Sequence, residues 1–430
     1  MNTEILHPAD QIAIIMERIY RYGMTTTSGG NLSIRDDNGD IWISPAGVDK
    51  GTLTRKDVVC VKTDGTIIGN HRPSSELPFH QTIYKKRPDI KAVLHAHPPA
   101  LIAFSIARKL PDTKLIPNVH QICGNLGLAK YGLPGSTELG DKIAAEFEKG
   151  LNVVLLENHG IVVGHTSLFK AFMAFETLDF CARLEIDAKK IGEPRGLTLE
   201  KLEISKKKQH ADLEEFIPGN YSSAEREIRR EMSGLIHRAY DQQLFTSTQG
   251  TFSQRIEGGT FVITPYGIDR KNISPEDLVH MEGALKEKGK IPSRSVLLHK
   301  YIYEKHPHIN SVIVAHPPNL MAFAVTHQSM DSRTIPESYI LLRNIPLLPF
   351  GSNFMQPEMT ADIFSKSTPV ALIENDCAIV TGSSLLNAFD RLEVAEYSAK
   401  AIIAVREIGS IITIDNKQIA DIEKAFKLEQ

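Results

Sequence analysis

Lys91-Ala92-Val93-Leu94-His95-Ala96-His97-Pro98-Pro99 is the stretch whose reading decides the fold of this 430-residue chain. Ala92-Val93-Leu94 reads as a buried strand, and the paired prolines end it and open the next helix. Side chains two apart on a strand share a face, so His95 and His97 can grip one metal ion. Two imidazoles at a strand end, beside a helix start, form a ready chelate. An acidic residue, Glu76, precedes the pair, and a third histidine, His159, follows it. The same segment returns later in altered form, as Val314-Ala315-His316-Pro317-Pro318.

That recurrence extends along the chain. Pro73-Ser74-Ser75-Glu76-Leu77-Pro78-Phe79-His80 matches Pro292-Ser293-Arg294-Ser295-Val296-Leu297-Leu298-His299. Ser44-Pro45-Ala46-Gly47-Val48-Asp49 matches Thr264-Pro265-Tyr266-Gly267-Ile268-Asp269, and Glu157-Asn158-His159 matches Glu374-Asn375-Asp376. Preserved order at a nearly constant offset is the signature of a tandem duplication. Each copy reads as an opening helix, a few strands, a helix, the histidine strand, another helix, a strand pair and a closing helix. The expected fold class is α/β, with domains at 1–210 and 217–430. Residues 167–191 read as a long helix, with Phe172, Phe175, Leu178, Cys181 and Leu184 at helical spacing. A charged stretch follows that includes Lys206-Lys207-Lys208, which reads as a solvated helix face. Pro218-Gly219-Asn220 then breaks the chain before a helix that starts near Ser222.

Composition narrows the function. Hydrophobic residues at 42% and charged residues at 23% are those of an ordinary globular protein, and a net charge of −3 argues against general nucleic-acid binding. Four scattered cysteines, Cys60, Cys123, Cys181 and Cys377, read as reduced thiols. No signal-peptide pattern and no membrane-length apolar run is present. The expectation is a cytoplasmic protein that engages neither membrane nor nucleic acid.

The copies differ where chemistry would lie. Glu76 becomes Ser295, His95 becomes Val314, His159 becomes Asp376 and Asn31 becomes Thr251, while His316 survives opposite His97. Purely structural histidines have no reason to be lost together. The first copy therefore reads as catalytic and the second as a relative that lost its metal. Three neutral imidazoles suit Zn²⁺ and leave a position open for substrate. Glu76 can be a fourth ligand or a general base. His80, kept as His299, reads as structural. Ser28-Gly29-Gly30-Asn31, Ala46-Gly47 and Ser74-Ser75 offer N–H groups and hydroxyls that suit an anion.

Gly30-Asn31-Leu32-Ser33, Ser44-Pro45-Ala46-Gly47, Pro73-Ser74-Ser75-Glu76, His95-Ala96-His97 and Asn158-His159-Gly160 together resemble the class II aldolase/adducin family. The resemblance covers nearly all of residues 8–192, and residues 222–405 look like the same domain with its site eroded. It implies two tandem three-layer α/β/α domains and one zinc per chain, held by His95, His97 and His159. It further implies Glu76 as acid/base and a phosphate pocket from Ser28, Asn31, Gly47, Ser74 and Ser75. The family's best-known activity is reversible aldol cleavage of a phosphorylated ketose such as fuculose 1-phosphate, yielding dihydroxyacetone phosphate and an aldehyde. Related members epimerise or dehydrate similar phosphosugars, and adducin-like members keep the fold without catalysis.

One position departs from the pattern. Fuculose aldolases carry a tyrosine after an Ile-Pro-x-x-His run, and it donates a proton at the neighbouring subunit's site. Here Ile116-Pro117-Asn118-Val119-His120 is followed by Gln121, which cannot donate as a phenol does. Family members form four-fold rings with sites between subunits. A duplicated chain is expected to build such a ring as a homodimer, with intact and eroded domains alternating. Tyr339, in Ile335-Pro336-Glu337-Ser338-Tyr339, lies within one residue of the family's tyrosine position and is the candidate donor.

Overall fold

The apolar run before His95 forms a strand, Ala92–Ala96, in the middle of an eight-stranded sheet. The structure is a computed structural model and describes residues 3–257 and 259–428. In chain order the strands of this sheet are β1 (Asn31–Arg35), β2 (Ile41–Ile43), β3 (Val59–Val61), β4 (Ile67–Ile68), β5 (Ala92–Ala96), β6 (Leu126–Ala129), β7 (Val153–Leu156) and β8 (Gly160–His165). Their spatial order is β4-β3-β2-β1-β5-β8-β7-β6, antiparallel throughout except for the β6–β7 pair.

Alternation along the strands gives the layers. Val93 points to the same face as Ile43, Val59, Val154 and Val162, and that face is covered by Phe79 and Ile83 of the helix Leu77–Lys86 and by Ile143 and Phe147 of the helix Thr137–Glu148. Leu32, Leu94, Leu155 and Ile161 are buried on the opposite face. There the helices Pro8–Arg21 and Pro99–Ala107 pack against the sheet. Each such side chain removed from water contributes about 1.5–3 kcal/mol. The result is a three-layer α/β/α arrangement.

The second copy repeats it. Its strands are β9 (Glu215–Phe216), β10 (Thr251–Arg255), β11 (Thr260–Ile263), β12 (Val279–Glu282), β13 (Leu285–Glu287), β14 (Ser311–Ala315), β15 (Leu347–Leu348), β16 (Val370–Ile373) and β17 (Ala378–Gly382). They order as β15-β16-β17-β14-β10-β11-β12-β13-β9, the first sheet's order with β9 added at one edge. Register is kept as well. Asn31 faces His95 across β1–β5, and Thr251 faces Val314 across β10–β14. Isolated bridges join Pro45 to Pro73 in one copy and Pro265 to Pro292 in the other. Asn158 and Asn375 share a left-handed φ of 54°.

The contacts divide the chain into Met1–Thr113 with Asn118–Arg183, and Lys114–Pro117 with Leu184–Gln430. This division and the expected one keep the same sheets together; residues 184–210 pack with the second unit. The long helix runs Leu168–Ile191, and Ser222 caps the helix Ser223–Asp241 by accepting from the Glu225 N–H. The lysine triplet differs from expectation. The helix before it ends at Ser205, Lys206 and Lys207 are exposed, but Lys208 turns inward and pairs with Asp376 at 2.9 Å. All four cysteines are buried free thiols. No helix among the described residues is long and apolar enough to cross a membrane.

Candidate metal centre

Two pieces of local structure bring the three histidines together. His95 stands near the end of β5, and His97 follows the strand's last residue, its N–H bonded to the Met24 carbonyl at 3.2 Å. His159 closes the short β7–β8 connection, in which Leu156 pairs with Gly160. Asn158 takes the left-handed conformation that such a turn demands. The Ser105 hydroxyl accepts from the His159 N–H at 3.1 Å and donates to the Leu156 carbonyl at 2.5 Å, which fixes the turn. Gly160 is required by crowding: a Cβ there would lie 2.7 Å from the Ala96 carbonyl oxygen and 2.8 Å from the His97 ring.

The ring centres of His95 lie 4.6 Å from His97 and 4.8 Å from His159, and those of His97 and His159 are 5.3 Å apart. One nitrogen from each lies within 4.8 Å of the others, so the group could hold a metal ion. His95 Nδ1 donates to the Ile161 carbonyl at 2.9 Å, leaving Nε2 as a bare acceptor. That Nε2 sits 3.3 Å from Glu76 Oε2, and Glu76 Oε1 sits 3.7 Å from His159 Nε2. Both His95 Nε2 and Glu76 Oε1 are buried without a hydrogen-bond partner. Buried acceptors gathered in one site need a cation or a proton among them.

The protonation states favour a metal. Burial, reinforced by the neighbouring imidazoles, pushes His95 and His97 down to about 3. Burial lowers His159 as well, although the Glu76 carboxylate opposes the shift. The rings are therefore neutral near pH 7, which is the form that ligates. The residues present fit a divalent ion.

Glu76 ends the loop before the helix Leu77–Lys86, and a line of hydrogen bonds holds it from behind. Asn31 Nδ2 donates to Glu76 Oε2 at 2.7 Å, and Asn31 Oδ1 accepts from His80 Nε2 at 2.5 Å. His80 Nδ1 in turn lies 2.7 Å from Ser33 Oγ, which lies 2.7 Å from the Tyr84 hydroxyl. An ionised carboxylate only accepts, so every donor in this line points towards Glu76. Burial keeps His80 neutral. Spacing alone did not single out Ser33 and Tyr84, and His80 reads from sequence as structural. The available signal was that Ser33, His80 and Tyr84 recur together as Ser253, His299 and Tyr303.

The remaining expected residues are distributed as follows. Ser28, Gly47 and Ser75 are exposed, and Ser74 is buried, its hydroxyl 3.3 Å from the Glu76 N–H. The Pro45–Pro73 bridge lays the Gly47 turn beside the Ser74-Ser75 segment. Ser28 adjoins Gly29, where a Cβ would lie 3.0 Å from His97 Nδ1. Asn31, expected at the phosphate, gives one amide N–H to Glu76 and its oxygen to His80, which leaves one N–H over. Gln121 is exposed on the helix Pro117–Cys123. Tyr339 lies in the second unit, on the helix Pro336–Leu342, and its hydroxyl donates to Glu423 at 2.7 Å. At the eroded positions Val314 packs among apolar side chains, while Asp376 is held by Lys208 and by Asn353 Nδ2 at 2.8 Å.

The 5-deoxy-D-ribulose 1-phosphate aldolase of Bacillus thuringiensis serovar kurstaki is 34% identical over 204 residues, 46% of this chain and 93% of the relative. The 3-oxo-tetronate 4-phosphate decarboxylase of Haemophilus influenzae is 31% identical over 38% of this chain and 80% of its own length. The L-fuculose phosphate aldolase of Methanococcus maripaludis is 34% identical over 40% of this chain and 89% of its own length. Each relative is thus matched over most of its length by less than half of this chain. The model of one family matches twice, at residues 10–186 and 230–403. With a duplicated sheet and a triple-histidine centre in the first copy, this chain belongs to the Class II Aldolase and Adducin N-terminal domain family.

Proposed function

We propose that the first unit is a zinc-dependent lyase that reversibly cleaves a ketose 1-phosphate, fuculose 1-phosphate-like, to dihydroxyacetone phosphate and an aldehyde. The observation that carries this reading is the pair of unpartnered buried acceptors, His95 Nε2 and Glu76 Oε1, inside a group of three neutral imidazoles. His95, His97 and His159 would hold the ion, which supplies a Lewis acid for negative charge on substrate oxygens. Glu76 handles the proton. In cleavage the C4 hydroxyl gives its proton to water or to the group assigned below to that role, the bond between C3 and C4 breaks, its electron pair moves towards the C2 carbonyl, and C4 departs as an aldehyde. For cleavage Glu76 must enter the step carrying a proton on Oε1, which it delivers to C3; in the reverse direction the carboxylate removes that proton. Asn31 holds Oε2, so Oε1 is the oxygen free to act. The exposed Ser28, Gly47 and Ser75 and the adjoining Ser74 are assigned to the substrate phosphate, with backbone N–H groups as donors.

A second reading is favoured by Gln121 and by the decarboxylase relative. Aldol cleavage must move a proton from the C4 hydroxyl, which a glutamine cannot accept. Loss of CO₂ from a phosphorylated 3-oxo acid breaks a carbon–carbon bond beside the same carbonyl and needs no such group. Glu76 would protonate the same carbon in both reactions. A screen of ketose 1-phosphates and of 3-oxo-tetronate 4-phosphate for release of dihydroxyacetone phosphate, with and without chelator, decides between them. Chelator-sensitive release from a ketose phosphate supports the lyase, and release from the oxo acid alone supports the decarboxylase. Release from neither removes both.

The proposed assembly is a homodimer that forms a ring of four domains, each working site completed by the second unit of another chain. Tyr339 is its candidate proton donor, a role that requires the hydroxyl to leave Glu423. The proposed compartment is the cytoplasm.

A further inference from the structure

The eroded copy keeps a cavity in which a lysine has entered. In the second unit, a space of about 60 Å³ is lined by Lys208, Arg294, His316, Ser293, Ser295 and Thr251, with Val314 and the Gly250 turn beside them. Lys208 comes from the segment between the helix Leu199–Ser205 and the helix Ser223–Asp241. Its ammonium lies 2.9 Å from both oxygens of Asp376, the residue standing where the first copy has His159. An internal cation thus occupies the neighbourhood that the first copy's ligands offer to a metal.

The rest of the lining is rich in donors. Arg270 adds a buried guanidinium, capped by the carbonyls of Gln249, Gly250, Ile268 and Pro265. Arg294 lies over the Tyr266 ring at 5.2 Å and donates to the Lys208 carbonyl at 3.2 Å, leaving guanidinium N–H groups over for a ligand. The hydroxyls of Thr251, Ser293 and Ser295 form a chain with spacings of 2.7 and 3.1 Å. His316 Nδ1 is buried without a hydrogen-bond partner. Among the described residues that line the cavity none is acidic, and Ser295 stands at the position of Glu76; Asp376 lies behind Lys208 and Asn353 and offsets the lysine, while Arg270 and Arg294 leave the lining net positive. A concave, net-positive surface made of hydroxyls, guanidinium and imidazole is suited to an anion with several acceptor oxygens. A single water needs only about 10–15 Å³ of such space, so a cavity of about 60 Å³ has room for a group the size of a phosphate.

We propose that this cavity is a metal-independent binding site for a phosphate group, walled by Lys208, Arg294 and His316, with Thr251, Ser293 and Ser295 as hydroxyl partners. The inference goes beyond the reaction assigned to the first unit and does not rest on it. The duplicated copy would then be retained as a sensor of phosphate or of a phosphorylated metabolite.

The test uses the full chain after treatment with EDTA. Inorganic phosphate, and separately dihydroxyacetone phosphate, are titrated calorimetrically into the wild type and into the variants Arg294→Met and Ser295→Glu. Both substitutions lie in the second unit, so a change that they cause belongs to that unit. Ser295→Glu installs the residue that the first copy carries at the matching place and puts a negative charge in the cavity. The expected result is saturable binding that survives the chelator and weakens at least ten-fold in each variant. Tighter binding of inorganic phosphate would name the free ion as ligand, and tighter binding of the monoester a phosphorylated metabolite; either supports the site. If Arg294→Met fails to fold, Ser295→Glu alone decides. Identical isotherms in the wild type and in Ser295→Glu, or binding abolished by the chelator, would overturn the proposal.

Discussion

Replacing Asn31 by Thr, the residue found in the second copy, tests the machinery behind Glu76. The strand register tolerates the change, since Thr251 occupies the same place opposite Val314. Two bonds disappear: the 2.7 Å donation to Glu76 and the 2.5 Å acceptance from His80. A hydrogen bond to a charged group is worth about 1.5–3 kcal/mol, and each 1.36 kcal/mol is about ten-fold in rate. The expected fall in kcat is therefore about 10- to 100-fold. The stranded His80 N–H costs a further ~1–3 kcal/mol of stability, at about 2–4 °C in Tm per kcal/mol for a unit of this size. His299 Nε2 in the second copy already lives without a partner, so the fold survives this loss. Steady-state kinetics, metal content and a melting curve on the same preparation give the answer. The account expects a lowered kcat, a little-changed KM and full metal content. A raised KM with unchanged kcat would put Asn31 on the substrate phosphate instead and refute the positioning role.

Glu76→Gln should keep the fold and most of the metal while activity falls by about 10²-fold or more, because an amide cannot carry the proton; normal turnover in the metal-loaded variant would place proton transfer elsewhere. Burial alone would raise the Asp376 pKa, but Lys208 and Asn353 overcome it and hold the carboxyl below the usual range. The pair thus stabilises the second unit at neutral pH and loses that contribution as pH falls below about 4. Lys208→Met strands a buried carboxylate at a cost of about 3–5 kcal/mol, and adding Asp376→Asn should restore much of it; a single variant as stable as wild type in urea titration would show the pair to be idle. Tyr339→Phe should lower activity at least ten-fold with metal content unchanged, in a particle of two chains by sedimentation. Full activity would leave the phenol as a packing partner of Glu423 only.

The sequence discloses the site through chemistry of short range. His95-Ala-His97 at a strand end and His159 in a tight turn are local patterns, and the turn is legible because Asn-His-Gly suits a left-handed residue. The duplication sharpens them, since it separates what the scaffold needs from what the reaction needs. The same comparison misleads at His80. Survival in both copies marks it as structural, yet in the first copy it also orients Asn31 against Glu76, and only the fold shows that the two meet. Lys208 is hidden for a related reason. A lysine triplet after a helix has no pattern that tells an inward residue from its solvated neighbours, and its partner lies far along the chain. The helix Thr137–Glu148 is absent from the sequence reading because its one start signal, the capping Ser136, stands among turn residues (Pro134-Gly135-Ser136) that read equally as a loop.

The central claim, a single metal-dependent site in the first copy, is tested most directly by quantitative metal analysis of the purified full-length chain beside its His97→Ala and His316→Ala variants. The account predicts one zinc or equivalent divalent ion per wild-type chain, nearly none in His97→Ala and about one in His316→Ala. Two ions per chain, or an ion that His97→Ala retains and His316→Ala loses, would contradict it.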